Sequence, residues 1–343
     1  MTTQVAFLFP GQGSQTVGMG ADIYEASPAA RRVFESADDA LGLSLSSICF
    51  QGPDDVLRET INTQPAIMTV SLALLAALQE ALTDDRPSSW SSPLLPSYTA
   101  GHSVGEYAAL VTSGALRLQD AVQLVRERGR LMHYEGTVCP GGMAAIIGMD
   151  AGALQAVCQE ATAQSTSTLS GAGHPGLGQV SVANFNAPGQ IVISGELNAL
   201  NIAMELAKSK GAKRVIPLAV SGAFHSPVMQ PAAEGLARAI ASCEISNASI
   251  PVIGNIHATP LTGAQAIYEE LAQQIAAPVQ WVRTIEYLVA AGITIFLEIG
   301  PGQALTGMVK RIAKGVTTLN VSSATDITKT VGIIREMGLI VEV

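Results

Sequence analysis

Short apolar runs bounded by glycine or proline recur along this 343-residue chain, with helical patterns between them. That alternation constrains the fold more than any other feature. The runs are "VAFLFPG", "LPSYTAG", "MAAIIGM", "VSVANFN", "QIVISG", "RVIPLAV", "IPVIGNI" and "TIFLEIGP". Helical segments such as 66–82 and 118–135 lie between them, which predicts a largely parallel sheet covered by helices. Residues 140–220 have their own rhythm of strand, helix (151–164), two strands, helix (197–210) and strand. This β-α-β-β-α-β order is the ferredoxin-like arrangement, and it interrupts two pieces that otherwise form one sheet. The expected organisation is a large α/β domain from 1–139 and 221–315, an inserted subdomain at 140–220, and a C-terminal extension at 316–343. Segments 83–96 and 165–178 read as surface loops.

Composition narrows the function class. The chain is 48% hydrophobic and 14% charged, enough for a large core. Mean hydropathy is +0.33, but polar residues interrupt every long apolar stretch, so no membrane span is expected. The N-terminus "MTTQVAFLFPGQ" reads as a first strand and not as a signal peptide. Cys49, Cys139, Cys158 and Cys243 lack metal or redox spacing and fit thiols in a reducing cytosol. Net charge −9 with 4% aromatics argues against a nucleic-acid surface. These totals predict a cytoplasmic α/β enzyme or binding protein.

Chemistry enters at "GHSVGEYAAL", residues 101–110. Gly101-x-Ser103-x-Gly105 fits a sharp strand-to-helix turn that projects a serine hydroxyl into a pocket. Such a serine needs a base, and histidine serves best near neutral pH. Of the five histidines, His102 adjoins the serine, so its side chain is expected to point away. His133 lies in a helix, His174 in a loop and His257 in a polar segment. His225, in "SGAFHSPVM", follows a strand and precedes a helix, where pocket residues lie in open α/β sheets. It also stands downstream of the serine, as the nucleophile-then-base chain order requires. His225 is therefore the expected base.

"FPGQGSQTVGMG", "GHSVGEYAAL", "RGRLM", "GAFHSPVM", "APVQW" and "EIGPGQAL" follow one another across residues 9–305. Together they resemble the malonyl-CoA:acyl carrier protein transacylases of fatty acid synthesis. The resemblance implies an α/β-hydrolase-like core with a mostly parallel sheet and an inserted ferredoxin-like subdomain. It makes Ser103 the nucleophile and His225 the general base and acid, the latter oriented by the main-chain carbonyl of Gln274 in place of a triad carboxylate. The N–H groups of Val104 and Gln12 would then form the oxyanion hole. In "LVRERGRLM", spacing alone leaves Arg126, Arg128 and Arg130 equivalent and consistent with a solvated helix face. The resemblance selects Arg128, the arginine before the glycine, as the clamp on the malonyl carboxylate. It also places Met132 and Phe224 in the acyl pocket, with Gln64 of "TQPAI" beside them. Loops 83–96 and 165–178 look longer than in compact members of the family.

The implied reaction is ping-pong: malonyl-CoA acylates Ser103, and the phosphopantetheine thiol of acyl carrier protein takes the malonyl group. No metal or redox cofactor is expected. "FPGQGSQTVGMG" lacks both the phosphate-loop lysine and the G-x-G-x-x-G order, which argues against nucleotide binding. Lys310 and Arg311 are the candidate contacts to the acidic carrier, and Lys213 and Arg214 the candidate contacts to the CoA phosphates. Three alternatives remain at this point: a serine hydrolase with the same elbow, an acyltransferase of a polyketide or polyunsaturated-lipid assembly line, and a non-catalytic docking module.

Overall fold

The structure, a computed structural model, describes residues 4–83, 94–167 and 174–339. Segments 84–93 and 168–173, the centres of the two expected loops, lie outside the described residues, as do 340–343. Among the described residues ten strands form two sheets: β1 (Val5–Phe9), β2 (Tyr98–Gly101), β3 (Gly141–Ile147), β4 (Val180–Ala187), β5 (Gln190–Glu196), β6 (Arg214–Pro217), β7 (Val252–Ile253), β8 (Pro260–Leu261), β9 (Ile295–Ile299) and β10 (Thr317–Val321). The larger sheet has the order β10-β9-β1-β2-β7-β8. Every pair in it is parallel except β7 with β8. β1 is central and buried at all five positions, as a parallel strand covered on both faces must be.

The smaller sheet has the order β4-β5-β3-β6 with every neighbour antiparallel. Helices Ala151–Thr166 and Leu197–Ser209 connect its strands and pack on one another. Asp150 begins the first of these helices by accepting from the Ala153 N–H at 2.9 Å, the usual use of a short acidic side chain at an N-cap. This lobe buries its own cluster, including Ile146, Leu154, Val157, Ile193 and Ala203.

The two sheets are tied by backbone. The outer edge of β4 meets Val279 of the large lobe in a parallel bridge at Asn184. The Phe185 N–H donates to Val279 O at 2.9 Å, and the Val279 N–H to Ala183 O at 2.8 Å. A strand edge that would otherwise present open N–H and C=O groups is closed in this way.

Two strands differ from the sequence expectation. β10 lies inside 316–343, the stretch read as an extension, and pairs with β9 along all five residues. "TTLNV" is mostly half-exposed or exposed, so it lacks the continuous apolar run that marks a central strand. β8 is a two-residue return beside β7, below the length at which any periodicity registers. Helix Thr60–Thr83 is long and apolar enough to cross a membrane by length and composition alone. It packs instead between helices Pro28–Leu41 and Leu118–Val138, its residues buried on nearly all sides over the first four turns. A helix apolar all round is what a large core requires.

Candidate active site

Strand β2 ends at Gly101, and helix Gly105–Thr112 starts four residues later. Between them Ser103 takes φ 53°, a left-handed conformation that non-glycine residues adopt at a cost of about 1–3 kcal/mol. Close packing enforces it. A Cβ on Gly101 would fall 1.9 Å from Gly105 C, and one on Gly105 would fall 2.1 Å from Phe9 O. The Asn255 side chain clamps the turn: Oδ1 accepts from the Ser103 N–H at 2.7 Å, and Nδ2 donates to Gly101 O at 2.7 Å. The expected elbow is present. Asn255 was not anticipated; its only local signal is its place just after β7, since its partners lie about 150 residues earlier.

His225 also has a positive φ, 58°, and its N–H donates to Ile275 O at 2.9 Å. Ring Nδ1 lies 3.0 Å from the carbonyl oxygens of both Gln274 and Ala277. Carbonyls only accept, so Nδ1 carries the proton and Nε2 is the free acceptor. Nε2 stands 2.7 Å from Ser103 Oγ, the spacing of a nucleophile and its base. Burial, then the positive charge of Arg128, then His102 push the His225 pKa down to about 3; its carbonyl partners only partly oppose this. The imidazole is therefore neutral near pH 7. The Gln274 carbonyl falls where the sequence reading expected it, and the Ala277 carbonyl is an additional partner.

Burial decides among the three arginines of "RERGR". Arg130 pairs with Glu127 at 2.7 Å on the surface, and Arg126 donates to Asn62. Arg128 is 1% exposed. Its Nη1 donates to Gln64 Oε1 at 2.5 Å, and its Nη2 donates to Gln274 Oε1 at 2.9 Å and Ser103 Oγ at 3.0 Å. The guanidinium lies over the Tyr107 ring at 5.7 Å, and its Nε is buried without a partner. Among the described residues no carboxylate forms an ion pair with it. Buried cations are normally paired, so this one is suited to an anion from outside the protein.

These groups open on a cleft of about 560 Å³ between the lobes. Gln12, Gln64, Val104, Met132 and Phe224 line it with Ser103, Arg128 and His225, while Asn184, Asn186 and Val192 come from the smaller lobe. Among the described residues no Asp or Glu lines it. The N–H groups of Gln12 and Val104 donate to no other described residue, which leaves both free for an oxyanion. Met132 Sδ accepts from Gln64 Nε2 at 3.3 Å, so these two cleft residues also touch one another.

Other expectations fared differently. His102 does not turn away from the cleft: it lines it, with Nε2 2.8 Å from Asn186 Oδ1 and its ring 5.5 Å from that of Trp281. A helix that starts only at Gly105 leaves both His102 and Ser103 in the turn, facing the same opening. His174 pairs with Glu135 at 2.6 Å, and His133 and His257 are exposed. None of Lys310, Arg311, Lys213 and Arg214 lines the cleft. Arg311 reaches across the lobes to Pro188 O at 2.9 Å and to Gln190 Oε1. The Lys213 stem lies against Gly148, and Arg214 is exposed on β6. Arg58 does line the cleft; in sequence it reads as a surface residue paired with Asp54.

The acyl transferase domain family matches residues 6–337. The malonyl CoA-acyl carrier protein transacylase of Bacillus subtilis is 44% identical over 334 residues, 97% of this chain and 98% of that protein. That of Escherichia coli K12 is 41% identical over 324 residues, 94% of this chain and 97% of that protein. Among solved structures, the malonyl CoA-acyl carrier protein transacylase of Coxiella burnetii superposes with TM-score 0.85 at 37% identity, covering 96% of each chain. A malonyl-transacylase in complex with a type II PKS acyl-carrier protein does so with TM-score 0.86 at 36% identity, covering 96% of this chain and 99% of that one. Named relatives thus match along nearly the whole length, and the chain belongs to the acyl transferase domain family, among its malonyl CoA-acyl carrier protein transacylases.

Proposed function

We propose that the protein transfers the malonyl group of malonyl-CoA to the phosphopantetheine thiol of acyl carrier protein, through a malonyl ester on Ser103, as the malonyl-loading step of fatty acid synthesis. One observation carries the mechanism: Ser103 Oγ lies within hydrogen-bond range of both His225 Nε2 and Arg128 Nη2. The same oxygen thus meets a neutral base and a carboxylate receptor. Malonyl-CoA enters the cleft and its carboxylate binds Arg128. The Ser103 hydroxyl proton moves to His225 Nε2 as Oγ attacks the thioester carbon. Negative charge on the carbonyl oxygen falls to the N–H groups of Gln12 and Val104. The C–S bond then breaks, and His225 returns the proton to the departing CoA sulfur. In the second half the carrier thiol gives its proton to His225 and attacks the ester carbon, the C–Oγ bond breaks, and His225 returns the proton to Ser103 Oγ.

No step needs a metal or redox group. Met132, Phe224 and Gln64 shape the acyl site, and the cations of the lobe surfaces serve the carrier and CoA phosphates, with Arg58 nearest to the cleft. Two main-chain carbonyls behind His225, where a hydrolase triad has a carboxylate, favour transfer over the serine hydrolase alternative. The type II PKS carrier in one structural relative supports a polyketide carrier as the second reading. The sheet orders support an α/β-hydrolase-like core with an inserted ferredoxin-like subdomain. Four free cysteines and a core-packed apolar helix support a cytoplasmic location away from membranes.

The test is intact-mass measurement after malonyl-CoA, then after holo carrier protein. The expected result is one malonyl group gained by the enzyme and then found on the carrier. Release of free malonate with the carrier present and unloaded would overturn the proposal.

A further inference from the structure

Three residues beyond the nucleophile, Glu106 is fully buried in the first turn of helix Gly105–Thr112. None of the proposed steps uses it. Its Oε2 accepts from Gln274 Nε2 at 2.6 Å, while Oε1 is buried without a partner. The same Gln274 nitrogen donates to Ser103 O at 3.0 Å, and Gln274 Oε1 accepts from Arg128 Nη2 at 2.9 Å. Each contact has a fixed polarity. A main-chain carbonyl only accepts and a guanidinium only donates, so the amide can sit only with nitrogen toward Glu106 and oxygen toward Arg128. Burial, then the nearby Glu270, hold the Glu106 carboxyl well above the usual carboxylate range, and its Oε2 is the acceptor for the Gln274 amide.

We propose that Glu106 is a positioning residue for acyl selection: its carboxyl orients the Gln274 amide, and that amide aims Arg128 at the acyl site. Without an acceptor at position 106, one buried amide hydrogen loses its partner. Ser103 O and Arg128 Nη2 then hold the amide alone, and any swing of the amide toward a new partner sets its NH₂ against the Arg128 NH₂, donor against donor, and turns the guanidinium out of register. A malonyl carboxylate depends on that register. An acetyl group, which has no carboxylate, does not. Loss of Glu106 therefore acts on the choice between acyl groups and far less on Ser103 itself.

This inference rests on the transfer reading above, and the experiment separates the two. Single-turnover acylation of Ser103 in the full-length enzyme is followed by intact mass, with malonyl-CoA and acetyl-CoA in parallel. A wild type that shows no malonyl preference refutes the transfer reading before any variant is made. Glu106→Leu is expected to lower the malonyl-to-acetyl rate ratio by about ten- to hundredfold, the weight of one hydrogen bond from Arg128 to the malonyl carboxylate. Glu106→Gln, which keeps a neutral acceptor, is expected to restore most of that ratio. Gln274→Leu, which keeps the main-chain carbonyl behind His225, should reproduce the Glu106→Leu ratio, and the double variant should be no worse than Gln274→Leu alone. If Glu106→Leu does not fold, Gln274→Leu and Glu106→Gln decide by the same ratio. Malonyl and acetyl rates falling together, or an unchanged ratio, would overturn the proposal and leave Glu106 a core residue only.

Discussion

Replacing Arg128 by alanine separates substrate recognition from the chemistry of Ser103. In the resting site Arg128 donates to Gln64, Gln274 and Ser103, and on the proposed reading a malonyl carboxylate would take over part of that donor set. Two charge-assisted bonds at about 1.5–3 kcal/mol each would give about 3–6 kcal/mol. Because binding replaces bonds already present, the lower half applies, which is about 10²–10³ in kcat/KM for malonyl-CoA. Acetyl-CoA loses only the Ser103 partner and should change by less than about tenfold. The variant also removes a positive charge that depresses the His225 pKa, so that pKa should rise and any acid limb of the rate profile should move to higher pH. The assay is transfer from each donor to holo carrier protein across pH 4–8, with thermal unfolding as a control for the two glutamine oxygens left unpartnered. Equal losses for malonyl and acetyl, in a variant that melts like wild type, would refute the reading and make Arg128 a structural residue.

Ser103→Ala should form no acyl-enzyme and transfer nothing, and a mass gain of one malonyl group on the variant would remove the serine from its role. His225→Ala should slow acylation by about 10²–10⁴, whereas near-normal rates would assign the base elsewhere. With His225 held neutral down to about pH 3, wild-type kcat/KM should show no inflection from this residue between pH 5 and 8. The stability linkage has the same sign: the folded pKa lies below the ordinary value of 6.5, so stability is complete above pH 6.5 and declines as pH falls toward 3, readable as unfolding midpoints at successive pH values. Lys310→Glu alone, chosen because Arg311 also holds Pro188 and Gln190, should raise KM for the carrier at low salt and leave KM for malonyl-CoA nearly unchanged. Carrier kinetics that do not move would place docking on another face.

What could be read from the sequence is what short-range rules encode. A strand ending in glycine and a helix opening with another predicts the elbow around Ser103, and chain order with strand–helix context singles out His225. Arg128 required the family resemblance, because three arginines at near-helical spacing look alike until burial separates them. Asn255, the Ala277 carbonyl and the Glu106–Gln274 contact were not legible. Each joins residues at least 49 positions apart, and no periodicity or cap signals such a pairing. β10 was missed because a half-exposed edge strand carries little apolar pattern, and Arg58 because a surface ion pair looks the same at a cleft mouth as anywhere else.

The hydrogen bonds between β4 and Val279 bear on how the two walls of the cleft are joined. They splice the free edge of one sheet into the chain just before helix Trp281–Ala290, whose first side chain packs on the His102 ring beside the nucleophile. A splice of this kind ties one wall of the cleft to the other by main-chain bonds, so a shift of either is passed across the seam. A substitution that loosens this seam is thus expected to reach the nucleophile through Trp281 and His102.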